Sequence, residues 1–226
     1  MKKVALVLMA VVLVASVAIA QDMPAAKMGA KSLNFTFGGF GGFGLTGSGP
    51  NPTGAAAGIS VTHFMADDAA LRIGLQVAGA SSTTAANATA PDVGTDGSSS
   101  SLNLGLGVDY LMYSGTGRVR PYMGAGIGLG WGTNTTKGAV IAPTVQVEVK
   151  DNPAAGPTGI SFGLTGIIGA EWFLYNDLSF SAEYNLNIIT VNSPADLVSG
   201  TTTTKQGSST SFLGFGAAGA TVHIYW

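Results

Sequence analysis

The sequence predicts an all-β protein: an eight-stranded antiparallel up-and-down β-barrel that crosses a membrane, with short periplasmic turns and long extracellular loops. Three observations carry this expectation. Hydrophobic residues make up 46% of the 226 positions and charged residues only 10%, well below the ~25% charged residues of ordinary soluble domains. Apolar residues recur with a period of two, the period of a strand. The connections between these alternating segments switch between tight and long, as in barrels whose turns and loops lie on opposite sides of a membrane. Thirty-four glycines, with many Ser, Thr and Asn, argue against long helices, because these residues lower helix propensity or favour caps and turns.

Residues 1–20 come first. Met1-Lys2-Lys3 precedes an apolar run from Val4 to Ile19 that ends in Ala18-Ile19-Ala20. A basic start, an apolar middle and a small-x-small site describe a secretory signal, with cleavage expected after Ala20 and export by the general secretory route. The alternative is an N-terminal membrane anchor, since the run approaches spanning length. Residues 21–32 read as a linker and 33–226 as the barrel. The chain has no cysteine, which is compatible with an oxidising compartment and excludes disulfide and thiolate chemistry. A net charge of −2 gives no case for nucleic acid.

Strands are expected at 33–45, 54–65, 70–80, 101–113, 119–131, 158–174, 178–190 and 210–226. The alternation is clearest in "LSFSAEYNLNI", where Leu178, Phe180, Ala182, Tyr184, Leu186 and Ile188 interleave with polar residues. It recurs at Leu102, Leu104, Leu106, Val108, Tyr110 and Met112, and at Leu71, Ile73, Leu75 and Val77. Residues 66–69, 114–118 and 175–177 are tight turns, whereas 46–53, 81–100, 132–157 and 191–209 are long loops. In hydrocarbon no backbone N–H or C=O can stay unpaired, so the sheet has to close on itself. The apolar parity then faces lipid and the polar parity faces the lumen. "TVQVEVK", Thr144 to Lys150, also alternates. As a ninth strand it would send the C-terminus outward, so it is read as a projecting hairpin extension within the third long loop.

The chain ends "AAGATVHIYW", with Val222, Ile224 and Trp226 on one parity. This resembles the C-terminal strand signal of bacterial outer-membrane proteins, which the barrel-assembly machinery reads. The family form usually ends in Phe and carries Gly where this chain has Thr221. Together with "HFMADDAALRIGL", "RPYMGAGIGLGW" and "GAEWFLYNDLSFSAEYNL", the whole of 33–226 resembles the small outer-membrane β-barrel family of the eight-stranded OmpA/OmpX-like type, which overlaps the porin-like barrels. The resemblance implies an integral protein of a Gram-negative outer membrane. Its partners would be outer-membrane lipids and lipopolysaccharide, the assembly machinery and periplasmic chaperones, and it would be a monomer without a cofactor.

Eight strands enclose a bore that side chains can fill, so no open pore is expected. With Met123, Ala125, Ile127, Leu129 and Trp131 outward, Tyr122, Gly124, Gly126, Gly128 and Gly130 turn inward. Arg72, Asp109, Arg120, Glu171 and Glu183 all fall on inward parity near a tight turn, and His223 joins them if Trp226 faces lipid. These six are expected to form a buried structural girdle, since unpaired buried charges are costly and pairing offsets that cost; a protonation-driven gate is the alternative. An enzyme would need a nucleophile beside a base, and only His63 and His223 are available. Neither is assigned catalysis. Asp67-Asp68 reads as a solvated turn, since it supplies few of the oxygens calcium takes; Asp92 and Asp96 could add a surface calcium site, but "DVGTDG" lacks a terminal Glu, so no metal or cofactor site is expected. Gly39, Gly41 and Gly44 match G-x-G-x-x-G, but "LTGSGPNPTG" follows where a nucleotide site needs a helix, and the glycines are read as part of the first strand. The loops are polar, small-residue segments, "SSTTAANATA" and "SGTTTTKQGSST" among them, expected as a flexible solvated coat. The functional expectation is an outer-membrane protein with a structural, envelope-integrity or surface-interaction role and a plugged lumen. A small channel for passive uptake and a lipid-modifying enzyme are its rivals.

Overall fold

A computed structural model describes residues 26–38, 58–85, 94–138, 140–141, 146–151, 158–214 and 218–226. The expected leader, the Gly39–Gly44 fingerprint and Asp92 lie outside the described residues. The described strands are β1 (Lys31–Gly38), β2 (Gly58–Ala66), β3 (Ala69–Thr84), β4 (Gly94–Thr95), β5 (Gly97–Tyr113), β6 (Val119–Lys137) and β7 (Val140–Ile141). They continue as β8 (Glu148–Lys150), β9 (Gly159–Phe173), β10 (Leu178–Ser193), β11 (Leu197–Ser199), β12 (Thr202–Thr204), β13 (Ser209–Gly214) and β14 (Ala218–Tyr225).

The pairings close a ring. β1 pairs β2, β2 pairs β3, β3 pairs β5, β5 pairs β6 and β6 pairs β9. β9 then pairs β10, β10 pairs β14 and β14 returns to β1, every pair antiparallel. Closure satisfies the edge groups that hydrocarbon cannot. The tight turns and both ends of the described chain lie at one end of the barrel, here the turn end. The long connections lie at the other, the loop end.

Inside and outside follow the parity of the sequence. On β6, Met123, Ile127, Leu129 and Trp131 are exposed while Arg120 and Tyr122 are buried. On β10, Phe180 and Leu186 are exposed while Ser179, Ser181, Glu183 and Asn185 are buried. The outer face is therefore the apolar one, the inverse of a soluble barrel. Aromatic rings edge it at both ends: Trp172, Tyr110 and Trp226 toward the turns, Trp131 and Phe162 toward the loops. From Phe162 to Trp172 the strand advances about 33 Å, roughly 25 Å along the axis at a ~40° tilt, which matches the apolar band of an outer-membrane barrel.

Three features differ from the sequence-based expectation. Strands run further at the loop end: β3 to Thr84, β6 to Lys137, β10 to Ser193, with β5 starting at Gly97. Above the lipid both faces meet water, so alternation fades there while Thr- and Ser-rich backbone still pairs. Second, the upper connections build a projecting sheet, β8 pairing β6, β11 pairing β8 and β12 pairing β11. Backbone pairing therefore reaches into the long connections, and Glu148–Lys150 lies antiparallel beside β6 outside the ring, in keeping with a projecting hairpin extension. The expected last strand is described on either side of residues 215–217, as β13, which pairs β10, and β14, which pairs β10 and β1. Third, a bulge between Asn187 and Ile189 on β10 shifts the register. The doublet Ile188–Ile189 would otherwise turn one isoleucine into the polar bore; the extra residue lets Val191 emerge on the outer face instead.

Candidate functional site

The lumen concentrates the polar chemistry. Arg72 stands on β3 and Asp109 opposite it on β5, directly in register. The Arg72 Nε donates to Asp109 Oδ2 at 2.8 Å, and its Nη1 and Nη2 donate to the two oxygens of Glu183 at 2.7 and 3.2 Å. Glu183 belongs to β10, four pairings from β3 whichever way the ring is followed. The ion pair therefore crosses the bore from wall to opposite wall. Tyr122 Oη (3.0 Å) and Asn185 Nδ2 (3.2 Å) also donate to Glu183. Gly126 faces Asp109, and a Cβ there would overlap its carboxylate.

The structure brings three of the six expected girdle residues into ion contact and holds the other three with neutral partners. Glu171, fully buried, accepts hydrogen bonds from Tyr113 Oη (3.0 Å), Tyr225 Oη (2.5 Å) and the Ser179 hydroxyl. Arg120 is opposite Glu171 in register, yet its Nη1 donates to the Ala26 carbonyl at 2.9 Å and its Nη2 to the Asp67 carbonyl at 2.6 Å. Its guanidinium lies 5.1 Å from the centre of the Tyr113 ring. The Asp67 carboxylate accepts from the Met28 amide at 2.9 Å, so this turn is a structural joint and more than a solvated bend.

His223 bridges the seam at which the first strand meets the last. Its Nδ1 donates to Asn34 Oδ1 at 2.8 Å, because the Asn34 amide nitrogen is already committed to Ser60 (3.1 Å) and Thr62 (2.7 Å). Its Nε2 lies 2.7 Å from the Ser181 hydroxyl. Ser181, His223 and Asn34 thus stand in the order nucleophile, base and orienter that acyl transfer uses. All three are buried, and the arrangement makes a hydrogen-bonded link across β10, β14, β1 and β2.

Below the charges lies an aromatic mouth that the sequence-based reading did not assemble. Phe64, Tyr113, Tyr122, Phe173 and Tyr225 form one buried cluster with Ala26. Phe64 and Tyr113 lie 5.1 Å apart between ring centres, Tyr113 and Tyr122 also 5.1 Å, Phe173 and Tyr225 5.6 Å. Parity held the signal: Tyr113 follows outward Met112, and Tyr225 sits between outward Ile224 and Trp226. Val222 shares that outer parity. His63 is exposed on the outside of β2.

The family model for the outer membrane protein β-barrel domain matches residues 4–219. The chain belongs to that family. An outer-membrane β-barrel domain places this integral protein in the bacterial outer membrane. The crystal structure of the N-terminal β-barrel domain of Pseudomonas aeruginosa OprF is similar over 88% of this chain and 98% of that one, at 11% identity and a TM-score of 0.40. No curated protein matches the sequence significantly.

Proposed function

We propose that this family member is a monomeric, non-enzymatic barrel that serves envelope integrity or surface interaction and whose lumen is plugged and non-conducting. The observation that carries the reading is the Arg72–Glu183 pair across the bore. Asp109, Tyr122 and Asn185 stand around it and the aromatic cluster lies beneath, an arrangement that supports a filled bore. The outward apolar band suits lipid and lipopolysaccharide as its surroundings. Val222, Ile224 and Trp226 are the segment that the assembly machinery would read, after delivery by periplasmic chaperones of a chain freed of residues 1–20. No cofactor enters this role. Purified protein in planar bilayers tests it: the expected record is silent at neutral pH, and steady unitary conductance would establish the rival small channel.

A further inference from the structure

The residues ahead of β1 do more than lead into it. Ala26 is 3% exposed, packed in the aromatic mouth, and its carbonyl is held by Arg120 of β6. β6 is four pairings from β1 by either route around the ring. A chain segment attached to one wall is thus fastened to the opposite wall. Three further bonds fix its course: Met28 N to Asp67 Oδ1 at 2.9 Å, Gly29 N to the Phe64 carbonyl at 2.8 Å and Ala30 N to the Lys27 carbonyl at 2.9 Å. Gly29 has φ +88°, a left-handed conformation that lets the segment turn into β1 and that side-chain-bearing residues adopt only with strain.

The fastening needs an arginine. One planar guanidinium donates to two carbonyls at once, Ala26 of the segment and Asp67 of the β2–β3 turn, and rests against Tyr113. A lysine ammonium has no such fork and is more strongly hydrated. The same group therefore gathers three separate parts of the turn end: the segment, the β2–β3 turn and the β6 wall.

We propose that residues 26–30 are a strap that seals the turn end of the barrel, buckled by Arg120, as a second barrier distinct from the Arg72–Glu183 crossing. The inference rests on the plugged-lumen reading and extends it, because it assigns the exclusion of water-borne solutes from the aromatic mouth to a part of the chain outside the ring.

The absence of cysteine from the sequence makes a clean test available. Single-cysteine A26C and M28C variants, refolded to heat-modifiable barrels, are labelled with a charged, membrane-impermeant maleimide. Met28 is 73% exposed and bonds through its main chain, so M28C reports an open position. The expected A26C rate is at least about tenfold slower, as for a site reached only by local opening. Adding Arg120→Met should bring it within about twofold of M28C. Equal rates in the two single variants, or an A26C rate unmoved by Arg120→Met, overturn the strap. If Arg120→Met yields no heat-modifiable barrel, Asp67→Ala replaces it: this removes the Met28 contact alone, and protection of A26C must fall, while unchanged protection overturns the strap. The outcomes separate the two readings. A conducting barrel overturns the plug and the seal together, even where slow A26C labelling shows that Arg120 still fastens residues 26–30, whereas fast labelling with silent bilayers overturns the strap alone.

Discussion

Arg72 and Glu183 meet at 2.7 Å across the bore although 111 residues of chain separate them. Asp109 takes the remaining face of the same guanidinium, so one cation is shared by two carboxylates from different walls. Removing it leaves both buried without a counter-charge, a change that typically costs about 3–5 kcal/mol. Arg72→Leu should therefore lower the urea midpoint for loss of the heat-resistant gel form by a corresponding amount, and more than Asp109→Asn does. A midpoint equal to that of the wild type would show that the crossing contributes nothing to stability.

The seam behaves as a coupled unit. His223→Leu and Asn34→Ala each remove the bond between β14 and β1, and each should cost about 1–3 kcal/mol because the partner stays buried and less satisfied. The double variant should cost less than the sum by at least about 0.5 kcal/mol, since the shared bond is lost once. Strict additivity in urea titrations would mean that the pair does not communicate.

Gly169 has no room for a methyl group. A Cβ there would lie 2.6 Å from the Tyr122 ring and 2.8 Å from the Ala182 carbonyl, so neither a side chain nor the backbone can yield freely. Gly169→Ala should destabilise the barrel by about 1–3 kcal/mol through overpacking. Part of that loss should return in a Tyr122→Ala background. Full stability of the single variant would contradict the tight approach.

At the loop end the carboxylate of Glu148 sits between Lys137 (2.8 Å) and Lys150 (3.3 Å). Hydrogen bonds from Lys137 and then Lys150 hold its pKa below the usual carboxyl range. A depressed folded-state pKa means that its contribution is present above the unfolded-state value and is lost as pH falls through the folded one. Acid, or added salt, should weaken the cross-strand NMR contacts between Thr136 and Val149 and leave the ring pairings intact. Persistence of those contacts in acid and high salt would assign the extension to its backbone bonds alone.

The Ser181–His223–Asn34 order invites a direct chemical check. A fluorophosphonate probe should leave the folded protein unmodified because the hydroxyl is enclosed. Stoichiometric labelling at Ser181, abolished by His223→Leu, would overturn the non-enzymatic proposal.

What was legible in the sequence follows from the period of two. Inward placement of Arg72, Asp109, Arg120, Glu171, Glu183 and His223 needed only the assignment of one apolar parity to lipid. Which of them would touch was not legible, because contact across the bore depends on the stagger between strands and on side-chain reach. Arg120 and Glu171 are neighbours in register, yet the guanidinium turns to main-chain carbonyls and the carboxylate to three hydroxyls. The aromatic mouth was within reach of the same parity argument. The strap was not, since no periodicity marks Ala26. Strand ends were misjudged where water on both faces erases the alternation, and the bulge at Ile188 was announced only by two adjacent isoleucines.

Closure of the ring by β1 and β14 also has a kinetic meaning. Asn34 and His223 are 189 residues apart, so the first strand waits for nearly the whole chain before its second edge is covered. Contacts of such separation make folding slow, and until then the strand edges are open to intermolecular pairing. The architecture therefore favours a chain that is kept unfolded until its last residues have arrived.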